Sequence, residues 1–300
     1  MRNIVVTGAN CFIARPLIDK LLKKGYFIYA VVRNVANYNN ANKNIQYIEA
    51  DLQDYDKLPD LINTNCYAMF HFAWNGTRGS TRTDDILQEQ NYLNSVKALH
   101  AASKLGCKVF VGAGSQAEYG VLDKVISEDD LPRPNTAYGI YKLRFTEYAL
   151  NMQNELKMNV IIPRFFSLYG EGDYSGTLIE SSIDKMLKNE TCDFSRATQN
   201  WNYMYIDDCV SALIHLLENN GTGIYNFGTL DTRVLKDYIL EIKEIIGSSS
   251  ELNFGAIPDP KTGLVSISPN INKLIAAGFT KFTPFEQGIK NIIDYKRKGL

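Results

Sequence analysis

The sequence lacks several features that would narrow its function at once. Its 300 residues carry 32 Lys and Arg against 33 Asp and Glu, so the formal net charge of −1 provides no basic field for nucleic acid or anionic lipid. No stretch reaches about 18 consecutive apolar residues, and the apolar run at the N-terminus is too short for a signal peptide. We therefore expect a soluble cytoplasmic protein whose partners are recognised at a local site, with no nucleic acid and no membrane among them.

Cysteine and histidine are also scarce. The five cysteines are odd in number and lie in or beside apolar stretches, which predicts reduced thiols and no disulfide framework. The three histidines, His71, His100 and His215, are scattered along the chain, so the sequence predicts neither a metal site nor a Ser-His-Asp arrangement. With 45% hydrophobic and 22% charged residues, the composition is that of a globular chain with one large or two unequal domains.

Apolar runs alternate with helical patterns through the first half of the chain. The runs are apolar on both faces, as in strands that are covered on both sides, and they span 3–6, 27–32, 44–50, 67–73, 108–112 and 159–163. Apolar residues at three- and four-residue spacing predict helices at 13–24, 84–105 and 140–156. This alternation predicts an α/β fold with a doubly wound parallel Rossmann sheet, whose ligands bind beyond the carboxyl ends of the strands.

The second half of the chain is less regular. A glycine-rich stretch at 169–176 predicts a crossing into a smaller C-terminal substrate-binding lobe. We expect the dinucleotide-binding domain at 1–165, with 201–228 returning to it, and the lobe at 166–200 and 229–300. The elements predicted in this half are a strand at 203–206 and helices at 207–217, 234–246 and 284–295.

A glycine turn follows the first predicted strand, in Thr7-Gly8-Ala9-Asn10-Cys11-Phe12-Ile13-Ala14. Such a turn directs backbone N–H groups at a helix N-terminus toward a pyrophosphate. It resembles the Thr-Gly-x-x-Gly-Phe-Ile-Gly turn of extended short-chain dehydrogenase/reductases in the NAD-dependent epimerase/dehydratase family. Cys11 departs from that pattern. Either its thiol points away from the cofactor, or cofactor binding is weakened or shifted; a plain turn without a ligand is the remaining alternative.

The resemblance implies a nicotinamide dinucleotide as cofactor. The second predicted strand ends at Arg33 with no acidic residue, which favours NADP(H) over NAD(H), because a basic side chain there meets a 2′-phosphate. The alternative is that Arg33 is a solvated surface arginine. The resemblance and the turn together assign the cofactor to Thr7, Gly8, Asn10, Cys11, Phe12, Ile13, Arg33, Asp51, Leu52, Phe72, Ala73, Tyr138, Lys142 and Phe165.

The candidate reacting centre is Tyr138-x-x-x-Lys142. At this spacing the two side chains share one face of a helix, and the ammonium would favour the ionised phenol. With 18 tyrosines in the chain the pair alone is a weak signal, but it opens a predicted helix after the fifth predicted strand. The segment after that strand, from Gly114 to Gly120, resembles the family's serine-bearing loop and places Ser115 at its catalytic position. The resemblance therefore implies a catalytic set of Ser115, Tyr138 and Lys142 that polarises a carbonyl and moves its proton.

The residues after Ser115 distinguish among activities of the family. Dehydratases that it resembles carry an Asp-Glu pair there, whereas this chain has Gln116 and Ala117, and Glu118 is one residue out of register. We also find no Cys and His pair of the kind that serves carbanion chemistry. Hydride transfer at a carbonyl is the remaining reaction.

The substrate residues follow from the same resemblance. Ser167 replaces a family asparagine, Trp201 stands where epimerases place an arginine on the diphosphate, and Arg196 is a substitute phosphate ligand or an unpaired loop arginine. With Trp74 and Gln116 they form the expected substrate set. The overall pattern is similar to bacterial NADPH-dependent reductases of nucleotide-diphosphate 4-keto-6-deoxyhexoses, which make deoxysugars for surface polysaccharide such as O-antigen. A 4-epimerase that retains NAD and a non-catalytic dinucleotide sensor are the alternatives. The resemblance also implies a homodimer through helices 84–105 and 140–156.

Overall fold

The computed structural model describes residues 2–36, 38, 42–259 and 265–299. Its strands, in chain order, are β1 (Asn3–Thr7), β2 (Phe27–Val32), β3 (Ile45–Glu49), β4 (Ala68–His71), β5 (Val109–Gly112), β6 (Gly114–Ser115), β7 (Asn159–Phe165), β8 (Ser167–Tyr169), β9 (Cys192–Phe194), β10 (Asn200–Tyr205), β11 (Gly223–Phe227), β12 (Thr232–Val234) and β13 (Leu252–Phe254). Its helices are α1 (Ala14–Lys23), α2 (Leu58–Leu61), α3 (Asp85–Lys104), α4 (Ala137–Met152), α5 (Leu178–Leu187), α6 (Ile206–Glu218), α7 (Leu235–Ile246), α8 (Asn272–Ala276) and α9 (Phe285–Arg297).

The central sheet is parallel, with the strand order β11-β7-β5-β4-β1-β2-β3, and the short β6 pairs with β7. Alternate residues of β1 show why its sequence is apolar throughout: Ile4 and Val6 pack with α1 and α6 on one face, and Val5 packs with α3 and α4 on the other. All three side chains are fully buried. Helices on both faces therefore confirm the predicted doubly wound sheet.

The second half of the chain builds a smaller lobe beside the carboxyl ends of these strands. It contains a three-stranded sheet in the order β12-β10-β8 and the parallel pair β13-β9. Helices α5, α7 and α9 pack around a separate apolar core that includes Ile183, Ile239 and Ile289. Helix α5 lies in a segment for which the sequence analysis predicted no element.

One predicted element joins a different sheet. The strand expected at 203–206 lies within β10, which pairs with β8 and β12 of the lobe and not with the central sheet. The strand that returns to the central sheet is β11, which pairs with β7 from Gly223 to Phe227. Strand β11 was missed because its sequence is short and contains polar residues, whereas its partner β7 is strongly apolar. Helix α6, predicted at 207–217, does pack on the central sheet. None of the helices described is both long and apolar enough to span a membrane.

Candidate active site

A cavity of about 590 Å³ lies between the carboxyl ends of the central strands and the lobe. Ser115, Tyr138 and Lys142 line it together, although they come from two separate segments of the chain. The lobe contributes Ser167 and Trp201 to the opposite side. This is the position at which doubly wound sheets bind their ligands, so the cavity is the candidate active site.

Ser115 is held in place by the chain that follows it. It ends β6, which pairs with β7 at Phe165, and it caps the single 3₁₀ turn Gln116–Glu118. Its hydroxyl accepts a hydrogen bond from the amide of Ala117 at 3.2 Å, and its own amide donates to the Glu118 carboxylate at 2.8 Å. This reciprocal capping box fixes the serine backbone at the edge of the cavity.

Tyr138 lies in the first turn of α4, which packs directly against that 3₁₀ turn. A side chain at Gly139 would place its Cβ 2.3 Å from the carbonyl oxygen of Ala117, so only glycine permits this close approach. The helix is capped by Thr136, whose hydroxyl accepts from the Gly139 amide at 3.1 Å. The geometry therefore brings the Tyr138 phenol next to Ser115, as the sequence analysis expected.

Burial dominates the electrostatics of Tyr138. Burial raises the pKa of its phenol, the hydrogen bond with Ser115 and the charge of Arg82 lower it, and Glu118 raises it. The expectation that Lys142 favours the ionised phenol stays a prediction. In this structure the Lys142 ammonium lies 5.9 Å from the centroid of the Tyr138 ring.

Lys142 has other partners in the structure. Its ammonium donates to the carbonyl oxygen of Ala113 at 2.7 Å and lies 3.8 Å above the ring centroid of Trp74. The Trp74 indole is in turn held by Gln88, whose side-chain oxygen accepts from Nε1 at 2.7 Å. Burial lowers the pKa of Lys142 to about 7, and the carboxylate of Glu118 opposes that change. The lysine therefore changes its charge close to neutral pH.

A buried ion pair lies beneath the serine. One Glu118 oxygen accepts from the Ser115 amide, and the other accepts from Nε of Arg164 at 2.8 Å and from the Thr146 hydroxyl at 3.0 Å. The carboxylate and the guanidinium are 0% and 1% exposed. From the sequence, Glu118 was noted only as lying one residue away from the position of an acid in dehydratases. Nothing in the sequence indicated that it pairs with Arg164. The structure shows that Glu118 is committed to holding β6, β7 and α4 together.

A second cavity, of about 120 Å³, adjoins the first and matches the expected cofactor turn. The two cavities share Cys11, Phe72 and Trp74. Predicted cofactor residues that line the smaller one are Gly8, Asn10, Cys11, Arg33, Leu52, Phe72 and Ala73, and those that line the larger one include Phe12, Ile13, Phe165, Tyr138 and Lys142. Gly8 has a φ of +65°, and a Cβ there would come within 2.8 Å of the Ala73 amide nitrogen. The continuous trough at the start of α1, with a guanidinium at one end, fits an elongated dinucleotide.

Cys11 stands where the two cavities meet. Its thiol is turned toward α1, and Sγ accepts a hydrogen bond from the Ala14 amide at 3.4 Å. Burial raises the pKa of this thiol, and the nearby backbone amides and Arg15 lower it. The cysteine therefore acts as a cap on the helix and occupies the Ala14 amide, a group that a glycine would leave free.

Two predicted cofactor residues have internal roles. The Thr7 hydroxyl is fully buried and bonds to Nδ1 of His71 at 2.7 Å, while Asp51 caps a 3₁₀ helix through the Leu52 amide at 2.7 Å. Neither lines a cavity. His71 also bonds to Ser95, and burial lowers its pKa to about 3, so it is a neutral structural residue.

Four of the five predicted substrate residues line the larger cavity: Trp74, Gln116, Ser167 and Trp201. Among the described residues, Oε1 of Gln116 and Nε1 of Trp201 are buried without a hydrogen-bond partner. Arg196 is not part of the cavity wall. Its exposed guanidinium pairs with Asp259 instead, which corrects the expectation that it faces a phosphate.

Sequence reasoning missed the two arginines that do line the cavity. Arg78 and Arg82 lie in the segment between β4 and α3, at the carboxyl end of a central strand. Arg78 lies 3.8 Å from Asp173, and its guanidinium carbon is 4.4 Å from the ring centroid of Tyr174. The position after a strand was the only signal available, because charged residues in loops are common.

Comparison with known proteins identifies the family of the chain. The chain belongs to the NAD dependent epimerase/dehydratase family, whose profile matches residues 4–228. It is therefore an enzyme of this family.

Individual relatives span nearly the entire chain. CDP-abequose synthase of Salmonella muenchen is 26% identical over 98% of both chains. UDP-glucose 4-epimerase from Thermotoga maritima, solved with UDP-glucose, superposes with a TM-score of 0.89 at 24% identity, covers 99% of both chains and shares the fold. MoeE5 in complex with UDP-glucuronic acid and NAD superposes with a TM-score of 0.84 at 26% identity over 99% of this chain and 100% of that one.

Proposed function

We propose that the protein reduces the C4 ketone of a nucleotide-diphosphate 4-keto-6-deoxyhexose with NADPH, in the biosynthesis of a deoxysugar for surface polysaccharide. Three side chains would perform the chemistry. Tyr138 donates the proton, Ser115 holds the substrate oxygen, and Lys142 contacts the cofactor beside them.

One observation carries the choice of reduction. Elimination of water needs an acid and a base in addition to the tyrosine. Among the described residues that line the cavity, Asp173 is the single carboxylate, and it lies beside Arg78. Glu118 is buried in its pair with Arg164 and cannot reach a substrate. Among the described cavity residues, no acid–base pair of carboxylates stands beside Ser115 and Tyr138, and this favours ketone reduction over elimination.

The proton has a short path in this arrangement. When held by these residues, a reduced nicotinamide would supply hydride to the keto carbon and be oxidised as the ketone becomes an alcohol. The Tyr138 phenol releases its proton to the carbonyl oxygen. Ser115, which lines the cavity together with Tyr138, would orient that oxygen toward the phenol.

Two unpartnered polar groups in the wall of the cavity support a sugar nucleotide as substrate. The buried Trp201 Nε1 and Gln116 Oε1 lack partners among the described residues, and hydroxyl groups of a sugar supply both acceptors and donors. The name CDP-abequose synthase includes a nucleotide sugar, and MoeE5 was solved in complex with UDP-glucuronic acid. A sugar bound here would contact Trp74, Ser167 and Trp201 around its ring.

Arg33 supports NADPH over NADH. It is exposed at the rim of the smaller cavity, directly after β2, where the adenosine ribose of a dinucleotide would lie. Arg33→Ala should weaken NADPH binding about tenfold and leave NADH binding unchanged, because only NADPH carries a 2′-phosphate. Equal losses for both dinucleotides, measured by quenching of protein fluorescence, would remove the basis for the NADP preference.

A 4-epimerase is the second candidate, favoured by the shared fold of the Thermotoga maritima enzyme and by the same three side chains. An epimerase would retain NAD through oxidation and reduction of the same sugar. A non-catalytic dinucleotide sensor is a third reading, and the use of the Ala14 amide by Cys11 supports it. A sensor would have no need of the proton-transfer residues.

The deciding experiment mixes purified protein with NADPH or NADH and a panel of UDP-, dTDP-, CDP- and GDP-linked 4-keto-6-deoxyhexoses. Loss of reduced-nicotinamide absorbance with one ketosugar establishes the reductase and identifies its substrate. If no ketosugar reacts and two ordinary nucleotide sugars interconvert, the protein is the epimerase. If neither assay responds while dinucleotide binds, the sensor reading holds. Tyr138→Phe protein serves as the control for each activity.

A further inference from the structure

A second cation lies against the candidate proton donor. The guanidinium carbon of Arg82 is 4.4 Å from the centroid of the Tyr138 ring. Its position is supported by a hydrogen bond from Nη1 to the Thr77 carbonyl oxygen at 3.3 Å. The arginine comes from the 3₁₀ turn Gly79–Thr83, whereas Tyr138 and Lys142 both lie on α4.

The two cations differ in their distance from Tyr138 and in how they respond to pH. The Lys142 ammonium is 5.9 Å from the same ring centroid and lies on Trp74 instead. Because burial lowers its pKa to about 7, Lys142 loses its charge as the pH rises above neutral. The guanidinium of Arg82 stays charged throughout this range. At alkaline pH, Arg82 is therefore the positive charge that remains beside the phenol.

We propose that Arg82 is a positioning residue for proton transfer: it orients the Tyr138 ring and stabilises the phenolate that forms when the proton leaves. A cation above an aromatic face is attracted by the ring, and the attraction increases when the ring becomes an anion. The activity consequence rests on the proposed reductase function, whereas the electrostatic effect on Tyr138 does not. The familiar spacing of Tyr138 and Lys142 gives no sign of this third residue.

The other groups that face Tyr138 are known from the structure. Ser115 lines the same cavity and lowers the pKa of the phenol, the nearby Glu118 carboxylate raises it, and Lys142 shares the helix of Tyr138. Burial raises the pKa of Tyr138 most strongly; Ser115 and Arg82 act in the opposite direction. Removal of the guanidinium should therefore raise that pKa further, while the Ser115 bond and the Glu118 charge remain.

A direct titration of Tyr138 tests the electrostatic effect without any substrate. Protein labelled with 3-fluorotyrosine, which ionises at lower pH than tyrosine, is followed by ¹⁹F NMR, and the Tyr138 signal is identified by its loss in Tyr138→Phe. We expect Arg82→Gln to raise the midpoint of this signal by about 1 pH unit. Arg78→Gln is the matched control, because Arg78 belongs to the same segment and lies on Tyr174.

Two results would overturn the proposal: an unchanged midpoint in Arg82→Gln, or an equal shift in Arg78→Gln, which would indicate a general field of the segment. Arg82→Met, which keeps the long side chain without the charge, repeats the test if the glutamine variant folds poorly. In Arg82→Lys, the midpoint should lie close to that of the wild-type protein, since lysine restores a cation at this position.

Activity provides the second readout once a ketosugar substrate is known. With Arg82→Gln, kcat should fall about tenfold, and the alkaline limb of the kcat profile should move to higher pH because the phenol keeps its proton longer. A rise in KM with an unchanged kcat would contradict a role through Tyr138. If no ketosugar is reduced, the proposed function fails while the NMR titration still decides the effect of Arg82.

Discussion

The two sides of the cavity differ in how their polar groups are satisfied. On the sheet side, the Ser115 amide, the Glu118 carboxylate and the Lys142 ammonium are held by hydrogen bonds within the protein. On the lobe side, Trp201 Nε1 is buried without a partner among the described residues. Among the described cavity-lining residues of the sheet side, Gln116, whose Oε1 also lacks a partner, is the exception. This difference indicates that the groups proposed for chemistry are preorganised, whereas those proposed for recognition are completed by the substrate.

The largest expected effect is on the sheet side. Tyr138→Phe removes the phenolic proton and leaves the ring in place, so kcat should fall about 10³-fold while NADPH binding stays nearly intact. Steady-state kinetics and fluorescence titration with NADPH measure the two quantities. Retained turnover would mean that another group donates the proton.

The buried ion pair provides the next test. Glu118→Ala leaves the Arg164 guanidinium charged and buried and should destabilise the fold by about 3 kcal/mol in urea unfolding. The double variant Glu118→Leu, Arg164→Met removes both charges. Its loss in free energy of unfolding should be smaller than that of Glu118→Ala. If the double variant is equally unstable, the packing of these side chains matters more than their charges.

Lys142 should make the stability of the folded protein depend on pH. Its pKa of about 7 in the folded protein lies below the ordinary value of 10.5, so the unfolded chain binds more protons between these values. Stability from this residue therefore rises with pH, by about 2 kcal/mol between pH 7 and pH 9.

The wild-type protein and Lys142→Met should therefore differ in how their free energy of unfolding depends on pH. Urea unfolding at several pH values should show the rise in the wild-type protein and a smaller one in the variant, because methionine does not titrate. Parallel profiles for the two proteins would show that Lys142 keeps its proton in the folded protein across this pH range.

The smallest expected effect is on the lobe side. Trp201→Phe removes the indole N–H and keeps an aromatic ring, so KM for the sugar nucleotide should rise about fivefold to tenfold with little change in kcat. Phenylalanine also removes an unpaired buried donor, so the free protein should become slightly more stable. A fall in kcat that exceeds the change in KM would remove the distinction between the two sides.

Much of the fold was predictable because local patterns and global architecture agree. The strand predicted at 27–32 coincides with β2, and the helices predicted at 13–24 and 84–105 match α1 and α3 to within one residue at each end. The helix predicted at 140–156 begins earlier, at Ala137, because its first turn is set by the Thr136 cap. That shift places Tyr138 in the first turn, against the Ser115 loop.

Other elements depended on contacts between distant segments. The assignment of β10 to the lobe and of β11 to the central sheet rests on strand pairing, which apolar periodicity does not specify. The predicted homodimer through α3 and α4 stays a prediction; Ile86 on α3 is 82% exposed and Ile140 on α4 is 36% exposed. Sedimentation velocity of Ile86→Glu and of the wild-type protein would test it, since a charge at a dimer interface shifts the equilibrium to monomers.

By itself, the sequence determined the strand–helix alternation and the glycine turn, because both follow from short-range spacing. The grouping of Ser115 with Tyr138 and Lys142 was implied by the resemblance to a known family. Only the tertiary structure decided which charges meet. The pairing of Glu118 with Arg164, the contact of Arg82 with Tyr138 and the bond between Arg196 and Asp259 join residues 46, 56 and 63 positions apart. Electrostatic energies depend on distance and burial in three dimensions, and the order of residues along the chain specifies neither.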